Sequence, residues 1–448
     1  MDRKLPSLSR NVAWSYVNWI TGFAAPLILI PLYVRLLGHQ LYGEWLVIMS
    51  IASYLGLASL GSWQAVGNRI AEAVAGGRRD EVGRLMSTGF IAYSAIIAAI
   101  LLVVFTAAPM MARRIMPAAG GHVLAAFYVF VALSALAFPM RAYSIMLRAF
   151  ERVDLEQRIN AVSSIFRIAA MATALLAGLK LIAVAIIQGG AMVAASGTAY
   201  AAAVRLDPDA RPRVSRWSAP LLASLVKPSI GFFGLTVAST LAFGIDNLVI
   251  GYAMSARAVT QYAVPFRLIM IVSGAFATGI AALWPTITKF HATGQTGELR
   301  RGFILLMRVA MIFGAVAGLA LWFLGPGFIR IWAGAGVFPG RATFGLQIAL
   351  MFIQMLLTPA DAVLMATSRH YGYAALAMAE GVLNLAFSLW WVRYWGLAGV
   401  IGGTIAARLL TNGWYMPVAA LGAIGMSGSE FTRAIAQPGW GSIARESA

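Results

Sequence analysis

The chain has 448 residues, 60% of them hydrophobic and only 11% charged, with a mean hydropathy of +0.79 and a formal net charge of +18. That little charge cannot keep a soluble domain of this length in solution, so the composition excludes one and points to a polytopic membrane protein. The absence of cysteine excludes disulfides and thiolate metal sites and leaves the redox compartment open.

A membrane-spanning helix needs about 20 predominantly apolar residues. Twelve such stretches follow one another, at 11–35, 42–66, 85–109, 122–147, 158–178, 181–204, 228–253, 259–285, 303–325, 343–367, 373–392 and 397–420. Their length and their Ala/Leu/Ile/Gly content predict helices, because barrel strands would instead alternate over about ten residues. The first stretch follows a basic N-terminus, yet it is long for a signal peptide and is read as a retained helix. The predicted class is an all-α integral membrane protein with twelve transmembrane helices.

The positive charge is segregated by loop. With the N-terminus in the cytoplasm, 21 of the 34 basic residues fall on inside segments, including Arg69, Arg78, Arg79 and Arg84 on one and Arg205, Arg211, Arg213 and Arg216 on another. Eight fall outside, and Arg141, Arg167, Arg267, Arg308 and Arg408 lie within spans. This bias obeys the positive-inside rule and, with an even number of spans, places both termini in the cytoplasm. Topology therefore accounts for the charge, and no nucleic-acid partner is required. The histidines (His39, His122, His291, His370) lie at four separate span ends and offer no metal-ligand spacing.

The chain also repeats itself. "YGEWLVIMSIASYLGLASLGSWQAVGNRIAEAVAGGRRDEVGRLM" from Tyr42 lies over "YAVPFRLIMIVSGAFATGIAALWPTITKFHATGQTGELRRGFILL" from Tyr262, with Glu81 on Glu298 and, further on, Pro139 on Pro359. Hydropathy and loop length carry this match more than identity does. It predicts an N-terminal lobe at 1–204, a Pro- and Arg-rich cytoplasmic linker at 205–227, a C-terminal lobe at 228–424 and a polar cytoplasmic tail at 425–448. Six spans per lobe give both the same orientation, related by a pseudo-two-fold axis along the membrane normal, which is a common transporter arrangement with the substrate path between the lobes.

Polar residues recur at helical spacing and mark the path. Asn11, Ser15, Asn18 and Gly22 share a face in the first span. Ser229, Thr236, Thr240 and Asn247 do so in the seventh, with Ser239 and Asp246 on the flank. Gln347, Gln354, Thr358 and Asp361 follow in the tenth, Glu380, Asn384 and Ser388 in the eleventh, and Thr404, Arg408 and Tyr415 in the twelfth. The fourth and fifth carry Ser134, Arg141 and Arg148, and Asn160, Ser164 and Arg167. Such a stripe faces water or protein while the rest of the helix faces lipid.

Each intramembrane charge has a bland reading beside the functional one. Arg148, Arg308 and Arg408 are near enough to span ends to snorkel into headgroups. Arg141 and Asp361 each follow a proline by two residues, a placement that suits pairing across the lobes or a local structural role alike. Glu380 and Asp246 are candidates to load and release a coupling ion, against a satisfied structural role. Arg267 sits about 13 Å into its span at 1.5 Å per residue. Against lipid it would cost about 2.5–3.5 kcal/mol, whereas a wet cavity removes most of that cost and presents a fork suited to phosphate.

The stretch "YGEWLVIMSIASYLGLASLGSWQAVGNRIAEAVAGGRRDEVGRLMSTG" resembles the second span and following loop of the bacterial polysaccharide flippases, with a Tyr-Gly pair, a Leu-Gly turn and a basic-acidic loop. Those proteins belong to the multidrug/oligosaccharidyl-lipid/polysaccharide flippase superfamily. The resemblance covers essentially the whole chain in span count, repeat and loop lengths. It implies a V-shaped pair of lobes in the inner membrane that moves undecaprenyl-pyrophosphate-linked oligosaccharide to the periplasmic leaflet by alternating access, with proton or sodium coupling. It implies a cation-lined cavity, for which Arg267, Arg141, Arg167, Arg408, Asn18 and Asn247 are candidates, and Glu380, Asp361 and Asp246 are candidates for the coupling ion. No metal, catalytic residue or cofactor is expected. The expected partners are the lipid-linked oligosaccharide and the bilayer, with polysaccharide polymerase and chain-length proteins as further candidates. Trp14, Trp19, Trp63, Trp284 and Tyr262 could stack on sugar rings, although interfacial belts collect Trp and Tyr in any membrane protein.

Two rival functions fit less well. A multidrug/cation antiporter of the same superfamily would carry a carboxylate in its first span, and this one has none. The peptidoglycan-precursor flippases carry two further C-terminal helices, for which the tail "SGSEFTRAIAQPGWGSIARESA" has no room. A polysaccharide polymerase or ligase would need a large outside loop or a clustered nucleophile and base, and neither is present in the sequence.

Overall fold

Apolar runs of this length fold as helices because hydrocarbon offers no partner to a backbone N–H or C=O. In the computed structural model, which describes residues 8–59, 62–115, 120–367 and 371–437, these runs form sixteen α-helices joined by short 3₁₀ and π turns, with no strand among the described residues. In chain order they are α1 (Leu8–Leu32), α2 (Gly38–Ser53), α3 (Ser62–Ala75), α4 (Arg79–Ile115), α5 (Gly121–Ala137), α6 (Ala142–Ala149), α7 (Val153–Leu176) and α8 (Leu181–Leu206). Then come α9 (Ala219–Ala253), α10 (Ala256–Ala281), α11 (Trp284–Ala292), α12 (Thr296–Trp332), α13 (Arg341–Ala366), α14 (Tyr371–Leu410), α15 (Asn412–Ala423) and α16 (Gly428–Ala436). Of the features singled out in the sequence, the side chains of Asn11, Trp63, Thr236, Ser239, Thr240 and Trp284, and the whole of Arg369, His370 and Arg445, lie outside the described residues.

Nine segments among the described residues are long and apolar enough to cross a membrane. Trp14–Leu57 and Ala375–Ala423 each contain two of the twelve predicted spans. They are divided at Gly38 and Gly396, whose φ values of 85° and 54° lie where a side chain would be strained. α9 supplies the remaining span. The molecule is an all-α, multi-pass membrane protein. Helices also extend where hydropathy predicts loops: α4 and α12, at 37 residues each, incorporate the basic-acidic stretches around Glu81 and Glu298 as their first turns. A hydropathy window detects hydrocarbon and not helix, and carboxylates at a helix N-terminus favour its extension.

The chain divides into two compact units, Met1–Thr260 and Gln261–Ala448. In the first, α7 packs on α1 and α8, α8 on α5, and α3 on α6. α9, the seventh predicted span, lies on α2, α3 and α4. The Nδ2 of Asn247 donates to Ser50 Oγ at 3.1 Å. The linker is held by α4 and α6. Backbone N–H groups of Arg213 and Ser218 donate to the buried hydroxyls of Ser87 (3.1 Å) and Thr88 (3.2 Å), and the fully buried Tyr143 hydroxyl donates to Ala210 O at 3.0 Å. Arg216 forks onto Asp209, Nη1 to the backbone oxygen at 2.7 Å and Nη2 to Oδ1 at 2.8 Å.

In the second unit α13 packs on α12, α14 and α15, and α16 lies against α12. The tail read as polar is helical at 428–436. Ser427 Oγ accepts from Glu430 N, and Glu430 Oε2 accepts from Ser427 N at 2.8 Å, a reciprocal cap. The Ser427 backbone N–H, and then its hydroxyl, hold the Glu430 carboxyl below the usual carboxylate range. The cap is therefore intact at neutral pH and weakens as pH falls through that lowered value. Arg308, a candidate for snorkelling, instead donates to the carbonyls of Ala434 and, at 2.9 Å, of Gln437 at the C-terminal end of α16, where a cation suits the helix dipole.

Arg216→Ala should loosen the linker by about 1.5–3 kcal/mol, the range for hydrogen bonds to a charged group. The expected readout is faster tryptic cleavage at Arg211 and Arg213; an unchanged digestion rate would show that the fork does not hold the linker.

Candidate functional site

The second unit holds a buried polar network. The span after Gly396 turns back on the one before it, and Gly399 and Gly403 let the two approach closely: a Cβ on Gly399 would meet the backbone of Trp391, and one on Gly403 that of Ser388. This brings Glu380, 7% exposed, to Arg408. The guanidinium donates to Glu380 Oε1 from Nε at 2.7 Å and lies at 2.6 Å from it through Nη2. Its Nη1 donates to Gln354 Oε1 on α13. The other carboxylate oxygen accepts from Thr411 Oγ1 at 3.1 Å and Asn412 Nδ2 at 3.0 Å. One turn further along α14, Asn384 Oδ1 accepts from Ser388 Oγ (3.0 Å) and Thr404 Oγ1 (2.9 Å), and both hydroxyls reach Val400 O at 3.2 Å.

Asp361 stands on the α13 face that carries Gln354 and Thr358. Its Oδ1 is buried without a hydrogen-bond partner. A buried carboxylate in this state is costly as an anion, and a proton or a small cation would remove that cost. Arg267 is exposed on α10, on the face that also carries Ala275 and Thr278 and opposite the buried Tyr262, Ile269, Ser273 and Phe276. Its guanidinium has no ion pair or hydrogen bond among the described residues. Tyr262 is 2% exposed, which places its ring out of reach of a sugar.

In the first unit the candidates are dispersed. Pro139 opens a 3₁₀ turn, Pro139–Arg141, that separates α5 from α6 and leaves the exposed Arg141 side chain without a polar partner among the described residues. Asn18 Nδ2 donates to Gln157 Oε1 at 2.8 Å, tying α1 to α7. Arg167 Nη1 donates to Gln188 Oε1 on α8 at 3.3 Å. Asp246, 8% exposed, adjoins Asn247 on α9. Arg148 pairs with Glu156 at 2.5 Å.

Thus the structure joins Glu380 to Arg408, places Asp361 on the α13 face that carries Gln354, and leaves Arg141, Arg167 and Arg267 without an acidic partner among the described residues. Sequence reasoning missed Gln157, Gln188, Thr411 and Asn412, each of which holds a named candidate. Gln157 extends the Asn160/Ser164/Arg167 face by one turn, and Thr411 and Asn412 extend the Thr404/Arg408 face, so periodicity held a signal for them, whereas Gln188 falls outside any polar stripe and only the fold connects it to Arg167.

A family model described as polysaccharide biosynthesis protein matches residues 8–291. A Yersinia pseudotuberculosis protein assigned to O-antigen export is 24% identical over 217 residues, 44% of this chain and 45% of that protein, so the match spans about half the length of that curated relative. Among solved structures, the chain resembles the lipid II flippase MurJ in an inward closed conformation (TM-score 0.72, 12% identity, 95% of this chain and 90% of that one). It also resembles an inward-facing multidrug resistance MATE family transporter of the MOP superfamily (TM-score 0.69, 12% identity, 92% and 96%). At these identities the likeness concerns the fold, and the proteins matched are transporters rather than enzymes.

Removing one partner of a buried ion pair strands the other charge, so Arg408→Ala should cost about 3–5 kcal/mol. Glu380→Gln, which keeps the shape and most of the hydrogen bonds, should cost less. Thermal denaturation in detergent checks both; equal midpoints for the two variants would show that the pair is not the dominant link.

Proposed function

Since the chain belongs to the polysaccharide biosynthesis protein family, we propose that it flips an undecaprenyl-pyrophosphate-linked oligosaccharide from the cytoplasmic to the periplasmic leaflet of the bacterial inner membrane, with both termini cytoplasmic. The observation that carries this reading is the set Arg141, Arg167 and Arg267, three guanidinium groups within apolar spans and without an acidic partner. Each would cost about 2.5–3.5 kcal/mol if left facing hydrocarbon. A wet path used by an anionic headgroup removes the cost and supplies the counter-charge.

The physics of the substrate fits such a path. A diphosphate sugar head is too polar to cross hydrocarbon unaided, while its polyprenyl tail is at home in lipid. The protein need offer only a polar passage for the head, and planar guanidinium forks bind phosphate with two hydrogen bonds each. A cation exporter would place carboxylates where this chain has arginines. Coupling to a proton or sodium ion falls to the carboxylates, and of Asp361, Glu380 and Asp246 the first has the unsatisfied oxygen, while Glu380 already neutralises Arg408.

Reconstitution in liposomes tests the reading. The protein should move a fluorescent lipid-pyrophosphate oligosaccharide between leaflets and should not extrude a cationic dye; the reverse result would favour the multidrug antiporter. Arg267→Ala should insert normally and lose at least tenfold in flipping, with Lys restoring it in part. Asp361→Asn should uncouple flipping from the ion gradient, and a variant as gradient-dependent as the parent would exclude that carboxylate.

A further inference from the structure

Between α7 and α8, wholly within the first unit, lies a groove of about 650 Å³. The α7 wall presents Val162 and Phe166, the latter 71% exposed, and the α8 wall is built from small residues such as Gly190 and Ala194. Two arginines, Arg158 and Arg167, flank it. Nine residues apart, they sit at heights that differ by about 13 Å at 1.5 Å per residue. The carboxylates near the start of α7 are already engaged: Asp154 with Arg152 at 3.1 Å and Glu156 with Arg148 at 2.5 Å. Arg158 stacks over the Trp14 ring at 5.8 Å, and Arg167 donates to the neutral Gln188. Among the described residues, neither of these two positive charges pairs with an acidic side chain. Its hydroxyls are occupied, Ser163 donating to Ala191 O at 3.2 Å and Thr198 to Ala194 O at 2.7 Å.

We propose that the α7–α8 groove binds the lipid carrier itself, the diphosphate passing between Arg158 and Arg167 while the first isoprene units lie along Val162, Phe166 and the small-residue wall of α8. This rests on the flippase reading above. The chemistry selects the occupant. A phosphate needs unpaired guanidinium donors, and an isoprenoid needs an apolar trough without competing polar groups; the groove has both and lacks the free hydroxyl donors that would favour a sugar. The two heights select the carrier over a resident phospholipid. With the start of α7 at the cytoplasmic face, Arg158 is at headgroup level. Arg167 is near the middle of its span, a depth that a resident lipid phosphate has no reason to reach and a translocating one must cross.

The test uses the purified full chain and undecaprenyl diphosphate without sugar, with phosphatidylglycerol as competitor, read by native mass spectrometry and by flipping in liposomes. The parent should retain the diphosphate against excess phosphatidylglycerol. Arg158→Gln and Arg167→Gln should each weaken binding about tenfold or more, the loss expected for a charge-assisted hydrogen bond, with Arg167→Lys restoring part of it. Ala194→Trp, which fills the trough without touching either charge, should exclude the diphosphate while the protein still elutes as a monodisperse peak. If these variants bind and flip like a parent that flips, the groove is overturned and the flippase reading stands. If phosphatidylglycerol displaces the diphosphate at equal concentration, the groove holds ordinary lipid and the proposal fails. A parent that neither binds the diphosphate nor flips any carrier-linked sugar would remove the function itself.

Discussion

A charge inside a membrane protein is stable only if something answers it, and this constraint organises the molecule. Where a partner is within reach, the chain uses it. Glu380 and Arg408 compensate each other, with Gln354, Thr411 and Asn412 taking up the remaining donors and acceptors. Arg308 caps α16, and Arg216 closes the linker on itself through Asp209. These contacts explain rigid features: the packing of α14 on α13, the docking of the C-terminal helix and the course of 205–218 along α4. Among the described residues, Arg141, Arg167 and Arg267 have no acidic partner, and Asp361 has a buried oxygen without a hydrogen bond.

Small residues allow these arrangements. Gly399 and Gly403 let two spans meet backbone to backbone, and Gly43 does the same for α2 against Ala256. In lipid, where apolar burial does not drive helices together, close van der Waals approach and shared hydrogen bonds supply the association. The same device on α8 has a different outcome. Gly190 and Ala194 line a trough, so small side chains there leave an open space instead of closing one.

Much of the fold was legible in the sequence, because a hydrocarbon slab imposes one length scale and one polarity on every span. Twelve apolar runs, the loop bias of arginine and the 220-residue echo of Tyr42 in Tyr262 all express that slab. The places where the reading departed have physical causes. The helical turns of α4 and α12 beyond the slab carry charge, so hydropathy read them as loops. Which neighbours α9 packs against is chosen by side-chain fit, as where Asn247 meets Ser50, and hydropathy does not report it.

For the candidate residues the division is sharper. Sequence periodicity identified Arg167, Arg267, Asp361, Glu380 and Arg408 as exceptional, since an ionisable group in an apolar helix is rare whatever surrounds it. Which of them had been neutralised could not be read that way. Glu380 and Arg408 are 28 residues apart, on either side of the Gly396 turn, and no spacing rule predicts that they meet. The groove between Arg158 and Arg167 was equally hidden, because Arg158 in sequence is one more cytoplasmic arginine. The sequence by itself determined that this protein lies in hydrocarbon, because the solvent acts on each residue separately; only the tertiary structure decided which charges are paired and which are left without an acidic partner, because that depends on pairs.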